Sequence, residues 1–102
     1  MEIERIDQPS ETLYRLTGRF DAHETARFKL VTEIISRDVC LDLSGVRFID
    51  SAGLAAVIGL NRRCQEVACE LRIIEVQDPV RLIFEITQLV NVLPIEMPMR
   101  SA

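Results

Sequence analysis

The run Val39-Cys40-Leu41-Asp42-Leu43 constrains this fold more than any other stretch, because it is short, almost wholly apolar and set between two segments of helical period. It ends in Ser44-Gly45, a turn signal, and five residues are too few for a helix, so it reads as a central strand covered on both faces. On its N-terminal side, Ala26, Leu30, Val31, Ile34 and Ile35 recur at helical spacing across residues 22–35, with Thr25, Lys29 and Glu33 opposite them. Asp21 precedes this segment and can accept from the free N–H groups of a first turn, which places the helix start near His23. On the C-terminal side, Val46, Phe48 and Ile49 continue through a short connection. Asp50-Ser51-Ala52-Gly53 then opens a second helix, with Leu54, Val57, Ile58, Asn61, Cys64 and Ala68 inward and Arg62, Arg63, Gln65 and Glu66 outward.

The remaining segments complete an alternating pattern. Residues 1–6 and 12–18 read as an antiparallel hairpin around the turn Gln8-Pro9-Ser10-Glu11. Residues 71–76 form another strand. Asp78, as N-cap, and Pro79, at the first helical position, begin a third helix with Val80, Ile83, Ile86, Leu89 and Val90 inward. Residues 92–95 suggest a short edge strand, and the chain from Glu96 onward a frayed tail. The order β-β-α-β-α-β-α, with a terminal β, describes one α/β domain over residues 1–102 built on a mixed sheet. Right-handed crossovers make its last three strands parallel, with helices packed across them. A chain of 102 residues buries about two-thirds of its extended surface and needs no metal or disulfide staple.

Composition narrows the function. Twelve basic and sixteen acidic residues give a formal charge of −4, and the basic residues are scattered, with Arg62-Arg63 the one adjacent pair, read as a solvated helix face. This is no basic stripe for nucleic acid. No apolar run approaches the roughly 20 residues of a membrane span. Glu2, Glu4 and Arg5 do not make a signal peptide, and three cysteines without CxxC spacing read as reduced thiols of a cytoplasmic protein, Cys40 in the core. His23 is the single histidine, so a multi-histidine metal site cannot be built, and a hydrolase using Ser51 as nucleophile would depend on His23 as its base. No GxxxxGK phosphate loop occurs, and no cofactor is expected. Asp42 and Asp50 read as a strand-end and a turn carboxylate rather than an acid–base pair.

What remains is Asp50-Ser51-Ala52-Gly53-Leu54. The plain reading is that Ser51 caps the helix by accepting from a first-turn N–H, worth about 1 kcal/mol. Gly53 costs about 1 kcal/mol relative to alanine inside a helix, so its presence implies backbone exposure or a close approach by a partner. The stretch Cys-Leu-Asp-Leu-Ser-Gly-Val-Arg-Phe-Ile-Asp-Ser-Ala-Gly-Leu over residues 40–54 resembles the signature of STAS domains, the family of bacterial anti-sigma factor antagonists. Gly18-Arg19-Phe20-Asp21, the strand at 71–76, Pro79-Val80-Arg81 and Ile86-Thr87 extend the resemblance over nearly the whole chain.

The resemblance implies a non-enzymatic switch. Ser51 falls on the family's phosphorylated serine, Asp50 on the aspartate before it and Asp21 on an aspartate near the partner surface, with Gly53 and Leu54 completing the expected contact set. Ser44 is a second hydroxyl beside a glycine, ranked below Ser51 because the resemblance points to the latter. Unphosphorylated, such proteins bind an anti-sigma factor serine kinase and free a sigma factor; phosphorylation ends binding and a phosphatase restores it. The alternative within the same fold is a scaffold or accessory subunit of a stress-signalling or lipid-transport complex.

Overall fold

The computed structural model describes residues 1–96. Its elements are β1 (Glu2–Asp7), β2 (Glu11–Phe20), α1 (Thr25–Val31), β3 (Asp38–Ile49), α2 (Ser51–Glu66), β4 (Leu71–Ile74), α3 (Asp78–Ile86) and a 3₁₀ turn at Leu89–Asn91. β1 and β2 form the expected antiparallel hairpin, its turn closed by the Gln8 N–H donating to the Glu11 carbonyl at 2.9 Å. β2 pairs parallel with β3, and β3 with β4, in the order β1-β2-β3-β4. Residues 92–95 contribute one parallel bridge, Ile95 to Ile73, rather than a full edge strand. Glu96 is not frayed: its N–H donates to the Ile73 carbonyl at 2.7 Å and its carboxylate pairs with Arg72 at 3.0 Å. The rest of the expected tail, 97–102, lies outside the described residues.

Strand order dictates the layering. Through α1 and again through α2 the chain steps the same way across the sheet, and right-handed crossovers that step the same way put their helices on one face. Tyr14, Leu16, Val39, Leu41, Leu43, Leu71 and Ile73 supply that face and share a single core with Phe20, Phe28, Val57, Leu60, Val80 and Phe84. The rings of Phe20 and Phe28 pack at 4.8 Å.

Helices therefore do not cover the 39–43 run on both sides. Cys40 and Asp42 point the other way and are nonetheless buried, under a lattice of charged side chains. Arg15 reaches Asp42 at 3.1 Å and Glu4 at 3.3 Å. Arg72 reaches Glu11 at 2.8 Å and Glu96 at 3.0 Å, and donates to Cys40 Sγ at 3.7 Å. Asp42 lies in mid-strand, not at a strand end. Burial raises the Cys40 thiol and pushes Cys64 up to about 11, as befits unreactive interior cysteines.

Most elements depart in detail from the sequence reading, β4 among them, which ends at Ile74 rather than at residue 76. β3 absorbs the stretch read as a connection after Ser44-Gly45, because it carries extra residues against β2, with register shifts between Arg15 and Thr17 and between Gly18 and Arg19. Gly45 is required there, since a Cβ would stand 2.8 Å from the Leu16 carbonyl oxygen. α1 is half the expected length. Its buried side chain is Phe28, followed by Thr32, while Leu30 and Ile34 are 70% and 83% exposed. α3 is capped at Gln77, not Asp78, and buries Val80 and Phe84 while Ile86 is exposed. α2 buries Gly53, Val57, Leu60 and Cys64, with Ala68 past its end. Arg63 is not solvated as expected: it donates to the Thr32 carbonyl at 2.8 Å and to Thr32 Oγ1 at 3.2 Å, fastening α2 to the end of α1.

The lattice carries a pH signature. Burial alone would raise the Asp42 carboxyl, but hydrogen bonds from Ser44 and Arg15 outweigh it and hold the group below its ordinary value. A depressed folded-state pKa stabilises the fold above the unfolded value of about 3.9, and that contribution disappears as pH falls through the lower folded value. Asp42→Asn should cost about 1–3 kcal/mol near neutrality. Thermal melts of the two proteins should converge as pH is lowered below about 4; an equal deficit at every pH would assign the loss to packing alone.

Candidate functional site

Asp50 leaves β3 at the end of the sheet and caps α2. Its backbone N–H donates to the Phe20 carbonyl at 3.3 Å, and its own carbonyl accepts from the Leu54 N–H at 2.9 Å. One carboxylate oxygen accepts from the Gly53 N–H at 2.9 Å and the other from the Ala22 N–H at 3.1 Å. A single side chain thus satisfies a first-turn amide of α2 and holds the β2–α1 loop against it. The cap expected at Ser51 is in fact Asp50. Adjacent aspartate and serine are equally good caps by propensity, so only the path of the chain out of β3 decides between them.

Ser51 consequently occupies the first helical position with an exposed side chain. Its hydroxyl has no hydrogen-bond partner among the described residues, His23 included, and His23 is itself exposed.

Asp21 lies in the loop that Asp50 grips. Its carboxylate accepts from the His23 N–H at 3.0 Å and its carbonyl from the Glu24 N–H at 3.0 Å, so it shapes the turn before α1 and does not cap the helix. Arg19 approaches Asp21 at 3.8 Å and lies 3.8 Å over the ring of Phe48. This exposed aromatic–arginine pair escaped the sequence reading. Phe48 counted there as one more apolar residue of a connection, and the pairing of Arg19 with Phe48 across β2 and β3 is not visible in either strand alone.

Gly53 and Leu54 are placed differently from Asp21 and Ser51. Gly53 is buried, and the close approach it permits is by the chain's own backbone: a Cβ would stand 2.4 Å from the Phe20 carbonyl oxygen and 2.7 Å from Ile49 Cγ1. Leu54 is half-buried and packs against the core. Exposed Ser51, the loop at Asp21 and the Asp50 carboxylate form the outer surface; Gly53 and Leu54 form its support. Among the described residues, no group of three His, Cys, Asp or Glu side chains is placed to hold a metal ion, and no helix is long and apolar enough to cross a membrane.

The STAS domain family matches this chain over residues 1–102. An anti-sigma F factor antagonist of Paenibacillus polymyxa is 26% identical over 100 aligned positions, spanning 93% of this chain and 86% of the relative. Among solved structures, a sulfate transporter family protein from Wolinella succinogenes superposes with a TM-score of 0.77 at 19% identity, covering 88% of this chain and 79% of the other. The Bacillus cell-fate determinant SpoIIAA in its phosphorylated form gives 0.66 at 17% identity, covering 95% and 93%. Identities this low carry the fold alone.

Removing the Asp50 carboxylate should cost about 1–2 kcal/mol, the usual loss for a helix cap. Gly53→Ala should cost more, because the clash is with backbone, and overpacking of this kind runs to about 1–3 kcal/mol. Denaturant titrations of Asp50→Ala, Gly53→Ala and Ser51→Ala should rank Gly53→Ala least stable and leave Ser51→Ala near the parent; a destabilised Ser51→Ala would return the cap to the serine.

Proposed function

This chain belongs to the STAS domain family, and from that membership we propose that it is an anti-sigma factor antagonist working as a partner switch, with Ser51 as its phosphorylation site and no catalysis of its own. Unphosphorylated, it binds an anti-sigma serine kinase and so frees a sigma factor; phosphate on Ser51 ends the contact and a phosphatase restores it. One observation carries this reading. Ser51 is exposed and free of structural duty at the first position of α2, because Asp50 has taken over the cap. The name of the Paenibacillus polymyxa relative supports the partner class.

The energetics suit a switch. A phosphate adds about −1.5 to −2 charges at neutral pH at a helix N-terminus, where the dipole favours an anion by about 0.3–1 kcal/mol. The neighbouring Asp50 carboxylate opposes it, and with both oxygens already engaged it remains in place as the cap. The fold therefore tolerates the modification. A partner does not: leaving a charge desolvated and unpaired at an interface costs about 2–5 kcal/mol, and about 1.4 kcal/mol is already tenfold in affinity. Asp21, Asp50 and Ser51 form the contact surface, with Gly53 and Leu54 fixing the helix end beneath it.

Incubation with an anti-sigma serine kinase, ATP and magnesium should place one phosphate on Ser51, seen by mass spectrometry. Kinase affinity should fall by roughly tenfold or more while the melting temperature changes little. Ser51→Ala should bind and resist phosphorylation, and Ser51→Asp should bind weakly. Phosphate on Ser51 with unchanged affinity would instead mark a scaffold or accessory subunit.

A further inference from the structure

α2 presents two distinct faces. Gly53, Val57, Leu60 and Cys64 pack into the core, while Ala52, Ala55, Ala56 and Gly59 line a groove of about 560 Å³ against α1. The floor includes Phe28, and Lys29, Arg62 and Arg63 stand along the groove; none of its lining residues is acidic. In a chain of formal charge −4, this is a local reversal of sign. Arg63 is committed to Thr32, but Lys29 and Arg62 have no ion-pair partner among the described residues. Gly59 supplies the second anomaly. A glycine in a helix interior costs about 1 kcal/mol relative to alanine, yet a Cβ at position 59 would meet nothing within 4 Å. Nothing in the packing of the fold calls for glycine at this position.

We infer that this groove receives an acidic amphipathic helix of the kinase partner, its small apolar residues seated over Ala55, Ala56 and Gly59 and its carboxylates against Lys29 and Arg62. Small residues on one helix let the backbone of another come close, and rim cations supply orientation and on-rate more than raw affinity. The inference rests on the proposed function and extends its contact surface: Ala55, one turn beyond Ser51 on the same face of α2, lines the groove, so phosphate on Ser51 would add negative charge beside a groove that would receive carboxylates.

The test uses the full chain and an anti-sigma serine kinase, with binding measured by calorimetry. Gly59→Leu fills open space and should melt at or above the parent temperature, yet bind the kinase roughly tenfold more weakly or worse. Arg62→Glu should weaken binding and flatten its dependence on ionic strength, and Gly59→Ala should fall between Gly59→Leu and the parent. Parent-like affinity of Gly59→Leu, with the parent chain binding normally, overturns the groove and leaves the switch standing. Loss of binding by Gly59→Leu with no effect of Arg62→Glu overturns the acidic character of the occupant. A parent chain that dimerises in light scattering, and whose dimer Gly59→Leu dissolves, makes a second copy the occupant and overturns the inference. Failure of the parent chain to bind the kinase overturns both readings together.

Discussion

The site depends on one carboxylate. Asp50 accepts from Gly53 with one oxygen and from Ala22 with the other, so the start of α2 and the loop after β2 are held by the same group. The Phe20 carbonyl completes the junction by accepting from the Asp50 N–H. That carbonyl can stand where it does only because residue 53 has no side chain. Three contacts around one residue thereby fix where Ser51 and Asp21 sit relative to each other. None of them uses the Ser51 hydroxyl, which leaves the serine available to chemistry that the fold does not feel.

The two faces of the sheet solve the problem of burial differently. One is covered by helices and closed by aromatic and branched apolar side chains. The other buries Cys40 and Asp42 beneath Arg15 and Arg72, whose aliphatic stems can cover surface while their guanidinium groups stay hydrated and paired. Exposed ion pairs contribute little individually. Here they link strands that are distant in sequence, Glu4 to Asp42 through Arg15 and Glu11 to Glu96 through Arg72. They therefore bind the hairpin and the C-terminal segment to the parallel part of the sheet.

The proposed switch would need its modified residue to be energetically separate from the core and near to the partner surface. α2 meets both demands by dividing its circumference. Residues at 53, 57, 60 and 64 hold the helix to the sheet, Ser51 projects from its first turn, and the face at 52, 55, 56 and 59 stays open toward α1. Under the proposed switch, a charge added at the first turn would change what can approach that open surface without loosening the packing that supports it.

The sequence by itself determined the element order, the parallel core of the sheet and the strand-to-helix turn that carries Ser51, because period 2, period 3.6 and turn chemistry are local properties that neighbouring residues express directly. It also marked Gly53 as anomalous. Tertiary structure alone decided what the anomaly was for, since the carbonyl that needs the space belongs to Phe20, far back along the chain. The same holds for the buried face of α1, where Phe28 prevails over Leu30 and Ile34 because Phe20 is waiting for it. It holds again for the lattice over Cys40 and Asp42, where an apolar run announced burial but not what would do the burying. Capping also needed the tertiary structure: the sequence reading put the α2 cap at Ser51, and the exit direction of β3 gave it to Asp50. Local pattern fixes what each segment prefers; which of its equally acceptable residues faces inward is settled by what the rest of the chain brings against it.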